Sequence, residues 1–218
     1  MGAVIEELGV RVGPQGLPGE LAWPVRAIGL VVFAHGSGSS RGSPRNRFVA
    51  TVLHDHRLAT LLFDLLGEDE AQDRRKVFDI ALLARRLVEA LDWLVGQDAA
   101  PALGQQAVGL FGASTGAAAA LQAAVERPGR VSAVVSRGGR ADLAPQIARV
   151  QAPTMLIVGG ADTEVLQLNR AALHELHCKK RLEIVPGASH LFEEPGALDA
   201  AAHLAADWFV RHETGRLS

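Results

Sequence analysis

A chain of 218 residues, 48 % of them apolar, has the size of one domain and enough nonpolar side chain for a full core without disulfides or a structural metal. Its formal net charge of -2 and pI near 6.4 remove the electrostatic reason for nucleic-acid binding, because that affinity rests mainly on neutralised phosphates. The one cysteine, Cys178, rules out an internal disulfide and agrees with a reducing compartment.

The first residues carry Glu6 and Glu7 where a secretory signal would carry basic residues and then an apolar run. Glu6 also occupies the position at which a myristoylation signal needs Ser or Thr. No apolar run reaches the length of a membrane span. These features predict a soluble, cytoplasmic protein with no membrane or nucleic-acid partner, folded as a single domain over residues 1–218.

In chain order, Val4–Val12 and Leu17–Trp23 read as two strands joined by Gly13-Pro14-Gln15-Gly16, an antiparallel hairpin at one sheet edge. Short apolar runs follow at Ile28–Ala34, Leu58–Phe63, Ala107–Phe111, Val131–Val135, Thr154–Val158 and Arg181–Val185. Most are apolar on both faces and bounded by Gly or Pro, as strands of a parallel sheet covered by helices must be. Between them lie helical stretches. Ile80, Leu83, Ala84, Leu87, Leu91 and Leu94 recur at helical spacing within a helix predicted over Val77–Val95. Ala117–Val125 is nearly all alanine and stops before Pro128-Gly129. Leu143–Arg149 reads as a short helix capped by Asp142. A last helix after Pro195 buries Leu198, Ala201, Leu204, Ala205 and Trp208. Strand–helix alternation of this kind predicts a doubly wound α/β sheet.

Gly112-Ala113-Ser114-Thr115-Gly116 follows an apolar strand and opens the alanine-rich helix. In that strand–turn–helix setting a G-x-S-x-G motif places a serine on a tight elbow above the carboxyl edge of the sheet. The helix N-terminus supplies positive dipole and free N–H groups beside it, so the N–H of Thr115 is a candidate donor to an anionic oxygen. A chance Gly-rich turn is the bland reading; the flanking strand and helix weigh against it.

A serine hydroxyl needs a base to act as a nucleophile at neutral pH. In a sheet of this type the acid and then the histidine follow the serine. Gly159-Gly160-Ala161-Asp162 and Pro186-Gly187-Ala188-Ser189-His190 leave the carboxyl ends of two successive strands. His190 is therefore the candidate base, and Asp162 the residue that orients it. Asp142 and then Asp64 are weaker candidates for the acid. Asp162 could instead only cap the helix that follows, and His190 could be a surface loop residue.

A second backbone donor is expected from His35-Gly36-Ser37-Gly38-Ser39-Ser40, most simply the N–H of Ser37, which with Thr115 would form an oxyanion hole. A dinucleotide-binding reading of this loop fails, because Arg41 stands where the third glycine should be. Arg41, Arg45 and Arg47 lie just beyond, and Arg137 and Arg140 follow a later strand. Arg41 and Arg137 are candidates to hold an anionic group of a substrate, against surface pairing with Asp64, Glu68, Asp69 and Glu70. His54-Asp55-His56 and His174-Glu175-Leu176-His177-Cys178 read as solvated helix faces rather than metal sites, since neither offers a full ligand set.

With these motifs in place, the chain resembles the dienelactone-hydrolase-related branch of the α/β-hydrolase superfamily. The resemblance rests on AHGSGSS at 34–40, GASTG at 112–116, SRGGRADL at 136–143, GGAD at 159–162 and PGASHLFEEPGAL at 186–198. It implies an eight-stranded, mostly parallel sheet and a triad on Ser114, Asp162 and His190, with no metal or cofactor. True dienelactone hydrolases use a cysteine nucleophile. Ser114 in its place favours ester hydrolysis over dienelactone chemistry.

Little chain separates the strand ending near Val135 from the one starting at Thr154, so no cap domain is expected and the site should be open. An open site suits short acyl esters or polymeric esters. Acyl transfer or perhydrolysis by the same triad, and a non-catalytic ligand-binding module, are the alternatives.

Overall fold

Five neighbouring strands are buried at every residue, and they set the architecture of the computed structural model, which describes residues 5–96 and 107–213. These are β3 (Gly29–Ala34), β4 (Leu58–Phe63), β5 (Val108–Ala113), β6 (Val131–Arg137) and β7 (Thr154–Gly159). With β1 (Ile5–Val12), β2 (Leu17–Pro24) and β8 (Lys180–Val185) they form one sheet in the order β1-β2-β4-β3-β5-β6-β7-β8. From β4 to β8 all pairings are parallel; β1 and β2 form the predicted antiparallel hairpin at one edge. Val4, the first residue of the predicted hairpin, lies outside the described residues.

Alternation along each strand divides the core in two. Leu30, Val32, Leu110 and Val134 face a layer built on α4 (Ile80–Leu94) and α5 (Thr115–Glu126). Val31, Phe33, Phe111 and Val135 face α1 (Pro44–Asp55) and α7 (Ala197–Glu213). The small side chains of α5 bring its axis close to the sheet. Ala118, Ala119, Ala120 and Ala124 are all fully buried. Between β4 and α4 in the chain lie α2 (Glu68–Gln72) and α3 (Arg74–Val77), and α6 (Thr163–Glu175) follows β7.

Three predicted elements change form. The helix expected over Val77–Val95 breaks at Phe78 and Asp79. The Asp79 carboxylate accepts from the Leu82 N–H at 2.9 Å, starting a new helix at Ile80, while Asp73 caps the short one before it. The helix expected over Leu143–Arg149 is instead two 3₁₀ turns, Ala141–Leu143 and Ile147–Arg149. Pro145 has no N–H and forces Ala144 out of the helical region, to φ -81°, ψ 110°. In the last helix Ala201, Ala205 and Trp208 are buried as expected, but Leu198 and Leu204 are only half-buried; Ala202, Ala206 and Phe209 complete the face.

Candidate active site

All five parallel strands from β3 outward through β8, leaving aside β4, end in loops that converge at the carboxyl edge of the sheet. At the end of β5, Ser114 adopts φ 51°, ψ -122°, a conformation that costs a non-glycine residue roughly 1–3 kcal/mol unless its surroundings impose it. They do impose it. The Ser114 N–H donates to the Arg137 carbonyl at 3.3 Å, and the Ser114 carbonyl accepts from the N–H groups of Ala117 and Arg140, each at 3.1 Å. A side chain at Gly116 would strike the Ala34 carbonyl oxygen, and one at Gly112 the backbone of Ala117. Only glycine lets strand, turn and helix approach this closely. Ser114 stands at the N-cap position of α5 but makes no capping bond with its side chain, so its hydroxyl is left for other use.

After β7, Asp162 likewise stands at an N-cap and makes no capping bond. Its carboxylate Oδ2 instead accepts from Nδ1 of His190 at 2.7 Å. An ionised carboxylate can only accept, so the bond places the ring proton on Nδ1 and leaves Nε2 as the basic nitrogen. The ring packs against Gly138, where an added Cβ would lie 3.7 Å from Cε1 of His190. Gly138 directly follows Arg137, whose carbonyl holds Ser114. One short loop, residues 137–140, therefore contacts both the serine backbone and the imidazole. Among the described residues the Ser114 hydroxyl takes no hydrogen bond, from His190 or any other group. Bonds of this kind in empty sites often form only with substrate present.

The rival acids are occupied elsewhere. Asp142 pairs with Arg140 at 2.8 Å, and Asp64 pairs with Arg41 and accepts from the Arg41 N–H at 2.7 Å. Arg47 pairs with Glu20 at 2.6 Å and Arg45 with Glu193 at 3.5 Å. Arg41 is thus tied to a carboxylate rather than free for a substrate anion. Arg137 is different: it is buried and has no carboxylate partner among the described residues.

The donor expected at Ser37 is also engaged. Its N–H donates to Oγ1 of Thr115 at 2.9 Å, because that hydroxyl is the acceptor brought against it where the two loops meet. The loop is anchored further by His35, whose Nε2 accepts from the Leu65 N–H at 3.0 Å while Nδ1 lies 3.0 Å from the Gly36 carbonyl. That pattern requires the neutral ring with its proton on Nδ1. Burial pushes the His35 pKa below its ordinary value, with the Gly36 carbonyl and Asp64 opposing. A cleft of about 840 Å³ opens beside this loop, lined by Ser37, Arg41, Ser43, Arg45, Leu66 and Val77 among others.

Sequence reasoning missed three supports of the site. Asn169 on α6 is fully buried and donates from Nδ2 to the carbonyls of Gly139 and Val165, both at 2.8 Å, fixing the 137–140 loop from behind. A lone polar residue on the apolar face of a helix was its signal. Glu194 accepts from the Ser189 N–H at 3.0 Å, and the bonds from Ser189 hold its carboxyl below the usual range. Phe192, at φ 57° and buried, turns the His190 loop back onto the sheet. Of the histidine clusters, His54 bonds to Thr60 at 2.8 Å, and His177 and Cys178 lie beyond the end of α6 rather than on it. No helix among the described residues is long and apolar enough to cross a membrane.

The sequence profile of the alpha/beta hydrolase fold matches residues 29–156. A solved dienelactone hydrolase from Anabaena variabilis ATCC 29413 is 54 % identical, with a TM-score of 0.90, over 97 % of this chain and 99 % of that one. The esterase domain of a Rhodothermus marinus protein shares the fold at 19 % identity and TM-score 0.73, over 96 % of this chain and 99 % of that one. A Mycobacterium tuberculosis protein named "Putative phosphoribosyl transferase MT0597" is 54 % identical over 211 residues, 96 % of this chain but 47 % of its own length. The chain thus spans about half the length of that relative.

Proposed function

The chain belongs to the alpha/beta hydrolase fold family and is related to dienelactone hydrolases, and from that premise we propose that it is a serine hydrolase cleaving carboxylic esters through an acyl-enzyme. The observation that carries the reading is the 2.7 Å bond between His190 Nδ1 and Asp162 Oδ2, made beside the loop that holds the backbone of Ser114. With Nδ1 committed to Asp162, Nε2 takes the proton from the Ser114 hydroxyl as the oxygen attacks the ester carbonyl. The same proton then goes to the leaving alcohol, and a water molecule activated in the same way releases the acid. Asp162 holds the ring and stabilises the imidazolium. The N–H of Thr115, at the start of α5, faces the oxyanion with the helix dipole behind it. The N–H of Ser37 joins it once its bond to Thr115 Oγ1 is exchanged for one to substrate.

Residues 138–153, between β6 and β7, contain only two 3₁₀ turns and no cap. The site is open, which suits short-chain acyl esters and admits the ends of polymeric ones. The transferase name of the Mycobacterium tuberculosis relative belongs to a protein about twice this length, of which this chain matches 47 %.

A fluorophosphonate probe should label Ser114 in the folded protein, and Ser114→Ala should abolish turnover of a chromogenic short-chain ester, a loss on the order of 10⁶. No adduct in folded protein would favour a ligand-binding module. Ester products formed with added alcohols, in preference to the free acid, would favour acyl transfer.

A further inference from the structure

Residues 137–140, from the end of β6 onward, carry the backbone bonds that shape the elbow. The Arg137 carbonyl accepts from the Ser114 N–H at 3.3 Å, and the Arg140 N–H donates to the Ser114 carbonyl at 3.1 Å. Between them, the Gly138 N–H donates to the Ile157 carbonyl of β7 at 2.8 Å, and the Gly139 carbonyl accepts from Nδ2 of Asn169 at 2.8 Å. Only the last of these bonds is made by a side chain, so a single substitution can remove it. Gly139 itself is wedged in place: a Cβ there would strike Ser136 and Ala117, the latter in the first turn of α5. The segment that grips Ser114 has little room, and Asn169 holds its buried middle.

Asn169 is a costly residue for this place. It lies on α6 with no exposure to solvent, among core-facing positions such as Val165, Leu166 and Ala172. A buried amide needs bonds to offset its loss of water. Both N–H bonds of Nδ2 are used, one on the Val165 carbonyl four residues back and one on Gly139, each at 2.8 Å. Two carbonyl acceptors fix which end of the amide is nitrogen. Its Oδ1 is buried and meets no donor among the described residues. Leucine would fill the position without stranding an acceptor. What leucine cannot do is hold Gly139. The bond to Val165 locks the side chain to its own helix, so the position of Gly139 is referred to α6.

That helix carries a second group of the site. Asp162 stands at its N-cap and bonds to His190 at 2.7 Å. Asn169 follows seven positions later, two turns of helix and about 10 Å along the axis. The chain entering α6 is fixed to the sheet edge, since the Gly160 and Ala161 N–H groups donate to the Val185 and Ala188 carbonyls at 2.8 and 2.9 Å. The spacing of Ser114 and His190 is set by what holds their two loops, and α6 holds both.

We propose that Asn169 is a positioning residue of the reaction, which through Gly139 keeps the Ser114 hydroxyl in line with Nε2 of His190. It touches no substrate and moves no proton. Without its bond the Gly139 carbonyl is left buried and unpaired, and the segment shifts to find a donor, carrying Arg137, Arg140 and hence Ser114 with it. This rests on the ester-hydrolase reading and adds to it the residue that spaces the nucleophile from its base.

The test compares Asn169→Leu with Leu176→Ala, at the fully buried C-cap of the same helix. Both variants weaken the packing of α6, and only the first frees Gly139. On 4-nitrophenyl butyrate, well below the melting temperatures, Asn169→Leu should lower kcat/KM about tenfold to hundredfold, the cost of a misplacement on the ångström scale. The loss should fall in kcat rather than KM, and fluorophosphonate labelling of Ser114 should slow by a similar factor. The acidic limb of the rate profile should stay where it is, because Asp162 keeps its bond to His190. Leu176→Ala should keep kcat/KM close to that of the unaltered protein at a comparable fall in melting temperature. Equal losses in the two variants, full activity in folded Asn169→Leu, or a displaced acidic limb overturns the proposal. Should Asn169→Leu fail to fold, hydrogen exchange in the unaltered protein decides. The Nδ2 protons of Asn169 and the amide protons of Ser114 and Arg140 should open together, as one cooperative unit. Nδ2 protons that exchange far faster than both amides overturn the proposal. Failure of the ester-hydrolase reading looks different, since the unaltered protein would leave the ester uncleaved and Ser114 unlabelled. Exchange then judges the clamp by itself: common opening supports it, and faster exchange at Asn169 rejects it.

Discussion

The N–H of Ser37 and the hydroxyl of Thr115, 78 positions apart in the chain, are joined by a 2.9 Å hydrogen bond that ties the loop after β3 to the first turn of α5. Thr115 is buried but Ser37 is exposed, so a Ser37 N–H that loses this acceptor can turn to water. Thr115→Val, nearly the same in shape, should therefore lower stability by about the net worth of one hydrogen bond, ~0.5–1.5 kcal/mol. It should also reduce ester turnover, because the loop that carries the second oxyanion donor loses its tie to the elbow. Thr115→Ser keeps the acceptor and should recover most of both. Urea melts and kcat/KM on all three proteins check this; unchanged stability in Thr115→Val would show the bond to be unimportant.

The positive φ of Ser114 makes a second expectation, in which stability and activity move in opposite directions. Glycine takes this conformation without strain, so Ser114→Gly should be more stable than the unaltered protein, by about 1 kcal/mol. Ester hydrolysis should vanish with the hydroxyl. A melting temperature at or below that of the unaltered protein would mean that the elbow is not strained by its serine.

How far these features can be read from sequence depends on the distance over which each is decided. The strands β3 to β7 carry their burial in their own composition, so the doubly wound sheet and its edge hairpin follow from local pattern. The strands expected over Ala107–Phe111 and Val131–Val135 end two residues early, because Gly112, Ala113, Ser136 and Arg137 extend the pairing beyond the run of large apolar residues. Asp162 and His190 were found by their place after successive strands, and they meet. The partners of Ser37, Arg41 and Asn169 were not legible, since each is chosen by another loop tens of residues away. The break at Asp79 was hidden by apolar residues on both sides of it, which keep helical spacing while the aspartate starts a new helix. Pro145, by contrast, was a visible reason to reject a helix over Leu143–Arg149.

The bond between Asp162 and His190 predicts a large loss of turnover with little loss of fold. Asp162 caps no helix end with its side chain, so Asp162→Asn removes a charge without removing a structural bond of α6. Asparagine can donate to Nδ1 and so favours the wrong tautomer. The expected fall in kcat is on the order of 10³–10⁴. Asp142→Asn, at the acid whose carboxylate faces Arg140, should leave kcat within a few-fold of the unaltered protein. The two variants compared on one ester, with melting temperatures alongside, decide the assignment: equal losses would move the acid away from position 162.

His35 makes stability depend on pH. Its Nε2 accepts from the Leu65 N–H, and protonation would replace that acceptor with a donor facing a donor. Burial holds its folded-state pKa below the ordinary histidine value of about 6.5, so above that value both folded and unfolded chains carry the neutral ring and the stabilisation is complete. As pH falls below 6.5 the unfolded chain takes up the proton first, and stability is lost progressively toward the folded-state pKa. One such group contributes at most about 1.4 kcal/mol per pH unit within that window. His54 and His212 are shifted the same way by burial, so the unaltered protein reports a sum. His35→Gln isolates one part of it, because an amide offers an acceptor to Leu65 and does not titrate. It should be less stable than the unaltered protein at neutral pH, and its stability should fall less steeply on acidification. Parallel curves for the two proteins, measured by urea melts across this range, would show that the ring at position 35 does not titrate with folding.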